Sequence, residues 1–164
     1  MKTFDFNPFG MIPQKGHMDY YDSTLIVNGY PVAVDLNIEP GADISLKSDL
    51  VKMILKESEK IRTRCIENIL CEFKIADSGR SPRLYFDHHR EELADPVKIS
   101  LFQKKNPTEV EFSNVMILKR IGIYLNIENE HTRFDFSLPG NATQYVLSCI
   151  ISNSLKIMGI EMES

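Results

Sequence analysis

The stretch that most constrains this chain is its last third, Ile121 to Met162, where apolar residues recur with a period of two. Ile121, Ile123, Leu125 and Ile127 alternate with Gly122, Tyr124 and Asn126. After Glu128-Asn129-Glu130-His131 a second run begins, with Phe134, Phe136 and Leu138 interleaved with Arg133, Asp135 and Ser137. With those four polar residues as the turn, Ile127 faces Thr132, Leu125 faces Phe134, Ile123 faces Phe136 and Ile121 faces Leu138. Matched apolar residues across a turn are what an antiparallel sheet with one buried face requires. A further hairpin, with Asn153-Ser154 as its turn, sets Cys149 against Met158, Leu147 against Ile160 and Tyr145 against Met162. Val146, Ser148 and Ile150 then meet Glu161, Gly159 and Ile157 on a mixed opposite face.

A second alternating region lies about ninety residues earlier. Tyr21, Ser23, Leu25 and Val27 precede Asn28-Gly29, and Tyr30, Val32, Val34, Leu36 and Ile38 follow it. Asn-Gly between alternating runs is the strongest short hairpin signal, because a type I′ turn needs positive φ at both central residues. Val27 then meets Tyr30, Leu25 meets Val32, and Tyr21 meets Leu36. Upstream, Lys2 to Phe6 reads as a short edge strand and Pro8 to Gly16 as loop.

Between the two regions the period changes to that of a helix. Leu46, Leu50, Met53, Ile54, Ile61, Cys65, Ile69 and Phe73 form an amphipathic stripe that Ser45 or Ser48 can cap. The stripe lapses near Glu57–Lys60, where a break would divide it. Ser81-Pro82 opens a helix to about Leu93, which Asp95-Pro96 interrupts. Val97 to Lys105 fits a short helix or a strand. Thr108-Glu109-Val110-Glu111 matches a capping box and predicts a helix over 109–119. The expected fold is one α+β domain over 1–164: a mainly antiparallel sheet, made of the N-terminal hairpin and a C-terminal four-strand meander. The helical insert packs on one face, against Ile123, Leu125, Phe134 and Phe136.

A chain of 164 residues can bury roughly 70% of its unfolded surface, so it needs no metal or disulfide to fold. A net charge of −4 argues against a nucleic-acid partner, which would call for a basic face. The three cysteines, at 65, 71 and 149, are widely spaced with no Cys-x-x-Cys pair, which suits reduced thiols. The first ten residues lack the apolar core of a signal peptide, and no stretch approaches a membrane span. The expectation is a cytoplasmic protein without membrane association.

No phosphate-binding loop, dinucleotide fingerprint, nucleophile elbow or zincin motif occurs. The most suggestive cluster is Asp87-His88-His89-Arg90-Glu91-Glu92. On a helix His88 and Glu91, or His89 and Glu92, lie three apart and could supply two metal ligands. The bland reading is a solvated helix face, and no other His or Cys stands at a ligand's spacing. His17 and His131 are isolated. Cys65 and Cys149 fall on apolar faces and read as small buried hydrophobes. Asp22 and Asp35 oppose each other on the polar face of the first hairpin, where water or a cation must relieve their repulsion. Tyr124, Arg133 and Asp135 mark the polar face of the meander, the surface most available to a partner.

The order of these features resembles a bacterial domain-of-unknown-function family, the one numbered two-thousand-and-four. The residues that carry the resemblance are Asn7-Pro8-Phe9-Gly10, Tyr20-Tyr21 and Val34-Asp35-Leu36. Tyr85-Phe86 with its His-rich helix, Ile121-Gly122-Ile123-Tyr124, Phe134-Asp135-Phe136-Ser137-Leu138 and the closing Glu163-Ser164 complete it. The resemblance implies a cytosolic α+β protein with no assigned functional residues and no cofactor, of a build proposed for immunity proteins that neutralise toxins. The leading expectation is therefore a protein-binding module for a basic partner, steered by Asp22, Asp35, Glu128 and Glu130. The rivals are a metal-assisted hydrolase using His88, His89, Glu91 and Glu92, and a homodimer formed through an open sheet edge.

Overall fold

The computed structural model describes residues 2–14, 20–126 and 130–164. His17 and Ile127 to Asn129 lie outside the described residues, as does the side chain of Leu46. Strands β1 (Thr3–Asp5) and β2 (Met11–Pro13) form a small antiparallel pair of their own, so Pro8 to Gly16 is not all loop. The hairpin predicted at Asn28-Gly29 is present residue for residue as β3 (Tyr20–Val27) and β4 (Tyr30–Ile38), with Asn28 and Gly29 both at positive φ. The chain then runs through five helices and returns as β5 (Ile117–Leu125), β6 (His131–Ser137), β7 (Val146–Ile151) and β8 (Ile157–Glu163). All six long strands join one sheet in sequence order, β3-β4-β5-β6-β7-β8.

The sheet is mixed, which corrects the mainly antiparallel expectation at one place. Strands β4 and β5 pair in parallel, Val34 opposite Ile121 and Leu36 opposite Ile123. Parallel neighbours need a crossover of a dozen or more residues, usually helical. Here the whole helical segment supplies it, bringing two regions distant in sequence into one sheet.

Two registers differ from expectation, both by an even number. Across β5 and β6, Ile123 faces Thr132 and Ile121 faces Phe134, a shift of four from the four-residue turn at Glu128–His131. Across β7 and β8, Cys149 faces Ile160 and Leu147 faces Met162, a shift of two, except that past an irregularity at Met158 Ile157 faces Ile151 on the buried side rather than Ile150 on the mixed one. An even slip leaves every side chain on its own face. Ile121, Ile123, Leu125, Phe134, Phe136, Leu147 and Cys149 are accordingly all buried.

The long amphipathic segment divides at Glu57 into α1 (Ser48–Lys56) and α2 (Ser58–Phe73), where the stripe lapses. Neither Ser45 nor Ser48 is its cap. Asp43 accepts from the Ser45 N–H at a 3-10 turn over Ile44–Leu46, and Lys47 stands at the N-terminus of α1 without a side-chain cap. Along α2, Ile61, Cys65, Ile69 and Phe73 recur every four residues and are fully buried. Helix α3 (Ser81–Glu92) follows, and Asp95-Pro96 does not merely interrupt it but opens α4 (Asp95–Phe102), since proline in a first turn forfeits no hydrogen bond. The capping box at Thr108 and Glu111 is formed, and α5 runs Glu109–Val115, shorter than predicted because the chain turns extended at Met116.

Phe73, Phe86 and Phe112 meet at centroid distances of 5.3–5.7 Å and knit α2, α3 and α5 together. Arg83 locks the same junction. Its guanidinium donates to both Asp87 carboxylate oxygens at 2.8 Å, to Glu109, and to the Phe73 carbonyl at the end of α2. One arginine thus satisfies an orphan helix-terminal carbonyl while pairing two acids. The helices lie over one side of the sheet, and the other side carries the polar residues of each strand.

Candidate functional site

The period of the strands decides what reaches the side away from the helices. Residues opposed across neighbouring strands share a face, so Asp22–Asp35–Gly122–Arg133 and Ala33–Arg120–Asp135–Ser148–Glu161 form two adjacent rows on one face of the sheet. All five residues expected at a binding surface, Asp22, Asp35, Tyr124, Arg133 and Asp135, lie on this face.

At the centre stands a residue the alternation did not reveal, Arg120. Between Leu118 and Arg120 the ladder with β6 is irregular, a bulge that seats one extra residue, Lys119. Such a bulge re-aims the side chain that follows it. Arg120 Nε and Nη2 donate to the two oxygens of Asp35 at 2.5 and 2.8 Å, and Nη1 donates to Asp135 Oδ2 at 2.8 Å. Nη2 also donates to the Tyr124 hydroxyl at 2.7 Å, and Asn37 Nδ2 donates to Asp35 Oδ2 at 2.5 Å. The Asp35 and Asp135 side chains are 4% and 7% exposed and that of Arg120 is 33% exposed, so the acids are interior and the cation is their lid. Burial opposes the charge on Arg120. The hydrogen bonds with Asp35, Tyr124 and Asp135 outweigh that and raise its pKa above an ordinary arginine's.

This network explains how Asp22 and Asp35 tolerate each other. Of water and a cation, the two reliefs expected there, Asp35 has the cation, the chain's own Arg120, against which it is buried, while Asp22 stays exposed. Asp135 Oδ1 is enclosed and has no hydrogen-bond partner among the described residues.

A second, more exposed cluster adjoins the first. His131 stacks on Tyr124, with ring centroids 4.8 Å apart and planes 10° from parallel. Arg133 donates to His131 Nε2 and to Ser148 Oγ, each at 3.4 Å, and to Glu161 at 3.3 Å. It also pairs with Glu163. One guanidinium therefore serves two carboxylates at the rim, and such exposed pairs contribute little to stability. Asp22, Asp35, Asp135, Glu161 and Glu163 bring five carboxylates to the face, against the guanidinium groups of Arg120 and Arg133. The face remains acidic with Lys119 counted in. Glu130 is engaged elsewhere, by Lys47 at 2.6 Å and by Asn153 at 2.7 Å, and Glu128 lies outside the described residues.

The two histidines of the His-rich helix have different surroundings. His89 is 2% exposed, inside the helix layer against Tyr85 and Phe112. Its Nδ1 lies 2.6 Å from the Tyr85 carbonyl, which can only accept, so the proton resides on Nδ1. Nε2 lies 2.7 Å from Thr143 Oγ1, and in the neutral ring with its proton on Nδ1 it accepts from that hydroxyl, whose oxygen accepts in turn from the Tyr145 N–H. Burial, with a smaller contribution from the neighbouring His88, lowers the pKa of His89, in keeping with this neutral tautomer. Both ring nitrogens are thus engaged. His88 is exposed and packs its edge on Tyr145, and Glu91 and Glu92 are exposed. Among the described residues no group of three or more His, Cys, Asp or Glu side chains is placed to hold a metal ion.

Cys65 and Cys149 are fully buried, as their apolar positions predicted, and Cys71 is exposed. The hydrogen bond with Cys65 and burial together push the Cys149 thiol up, away from the thiolate a nucleophile needs. No helix among the described residues is long and apolar enough to cross a membrane. No family model matches the chain, and no curated protein or solved structure matches it either.

Proposed function

We propose that this protein is a protein-binding module whose open sheet face docks a basic protein surface, as a toxin-neutralising immunity protein does. The observation that carries the reading is the acid-rich face itself, which lies opposite the buried apolar face of the sheet and whose central side chains are pinned by Arg120. A face held this way loses little side-chain freedom on binding, and its surplus negative charge speeds encounter with a basic partner. The same charge disfavours a second copy of the chain as the occupant, since two such faces would repel. The resemblance to an uncharacterised bacterial family of immunity-like build points the same way.

Titration calorimetry against a basic protein encoded beside this one tests the reading. The expected result is submicromolar binding that weakens with salt and falls about tenfold or more in Asp22→Lys. Absence of heat at micromolar concentrations, or an affinity indifferent to that charge reversal, would overturn it.

A further inference from the structure

Strand β8 closes one end of the sheet, and its free edge borders a groove of about 510 Å³. Ile157, Met158, Gly159 and Ile160 all line that groove, opposite Asn68 and Glu72 of α2 and the first residues of α3. Successive residues of a strand point to opposite faces, so a groove that touches four in a row lies along the strand's edge. Among the described residues, β8 makes backbone hydrogen bonds to β7 alone, so the groups on its other side have no backbone partner. The groove wall also holds a carboxylate oxygen, Glu72 Oε2, enclosed without a hydrogen-bond partner among the described residues, while the other oxygen binds Arg80 at 2.9 Å.

We infer that β8 is a strand-addition site for an extended segment of a protein partner in which basic and apolar residues alternate. This rests on the reading of the protein as a binding module and specifies what the partner presents. Backbone pairing supplies affinity in such an arrangement, and alternate side chains supply the choice of sequence. On the open face β8 shows Glu161 and Glu163, 54% and 44% exposed, with Arg133 alone between them. An added strand sets its own side chains directly beside these two, where opposite charges attract and like charges repel. On the other face Ile160 and Met162 are partly exposed, which suits apolar residues at the intervening positions, and Met158, at the irregularity in the ladder with β7, is 69% exposed. A second copy of the chain is the poorer occupant, because full antiparallel pairing of β8 with itself sets Glu161 beside Gly159 and Glu163 beside Ile157 and offers neither carboxylate a cation.

The test uses a capped peptide of alternating lysine and valine, titrated into the whole protein by fluorescence anisotropy, with hydrogen exchange read at residues 157–163. Saturable micromolar binding is expected, with slowed exchange in β8 and about tenfold loss in the Glu161→Lys, Glu163→Lys double variant. Two further peptides, N-methylated on one or the other alternate set of amides, keep the outcome independent of how that variant folds. One of them should fail to bind. Binding that survives both methylations and leaves β8 exchange unchanged would overturn strand addition, and so would no binding by the peptide at all. Neither result would touch the docking of a basic protein on the sheet face, which stands or falls on the Asp22→Lys titration.

Discussion

The Arg120 guanidinium lies over Gly122. A Cβ on Gly122 would stand 2.7 Å from Arg120 Nη2 and 2.9 Å from its Cζ, closer than such atoms can approach. Gly122 needs no unusual φ; it is glycine because the cation that joins Asp35 to Asp135 crosses its surface. Gly122→Ala should therefore push Arg120 off its partners and cost about 2 kcal/mol, the scale of one charge-assisted hydrogen bond. Gly159→Ala, in a strand of the same sheet with nothing within 4 Å of its Cβ position, should change stability by less than about 0.5 kcal/mol. Urea midpoints for the two variants make the comparison. Equal effects would mean that Arg120 is free to move aside.

Removing the cation itself should be costlier. Arg120→Met leaves Asp35 and Asp135 buried without their common donor, and breaking a buried pair by removing one partner costs about 3 kcal/mol at the low end. The low end applies because the Arg120 side chain is one-third exposed. Asp35→Asn should cost less, since an amide still accepts one of the two bonds. In the double variant the losses should fall short of their sum by at least about 1 kcal/mol, as for residues that share an interaction. Additivity within about 0.5 kcal/mol would reduce Arg120 to the packing of its aliphatic stem.

Arg120 also marks where the sequence stopped being legible. Faces were readable wherever the ladder is regular, because parity follows from local alternation and the even slips at Thr132–Ile123 and Cys149–Ile160 kept it; it failed at the irregularities beside Lys119 and Met158. Register was readable only where turn chemistry dictates it, at Asn28-Gly29. The turns after β5 and β7 carry no comparable signal, so their lengths were missed. The parallel pairing of Val34 with Ile121 joins residues far apart in the chain, and no local pattern encodes it. Arg120 was missed because Lys119 at the bulge breaks the alternation, so that Leu118-Lys119 reads as the end of a helix and the strand as starting at Ile121. The usable signal was the three-residue interval between Leu118 and Ile121, both inward-facing, which a strand can accommodate only by a bulge.

His89 should make the protein acid-sensitive. Burial lowers its folded pKa beneath the unfolded value of about 6.5, so the unfolded chain takes up the proton more readily. Its contribution to stability is complete above about pH 6.5 and is lost as pH falls through the folded pKa. Denaturation free energies measured from pH 8 to pH 5 should therefore decline more steeply for the wild type than for His89→Gln. Parallel profiles would show that His89 takes up its proton in place, with Thr143 turning to accept rather than donate.

Tyr85 should act at the other end of the scale. It is fully buried, and burial raises its hydroxyl to about 12 from an unfolded value near 10. The folded state keeps the proton longer than the unfolded chain does, so stability is intact below about pH 10 and is lost as pH rises through 12. A gap of two pH units corresponds to about 2–3 kcal/mol by linkage. Its hydroxyl contacts the Tyr145 carbonyl at 3.5 Å and also interacts with Ser137 and the Leu138 backbone, so Tyr85→Phe should cost about 1 kcal/mol at neutral pH. Lysines titrate over the same alkaline range in both proteins and cancel in the difference. Urea unfolding from pH 9 to pH 12 should thus bring the wild type down toward Tyr85→Phe and then below it, and a constant difference between the two would mean that the ring ionises without leaving the core.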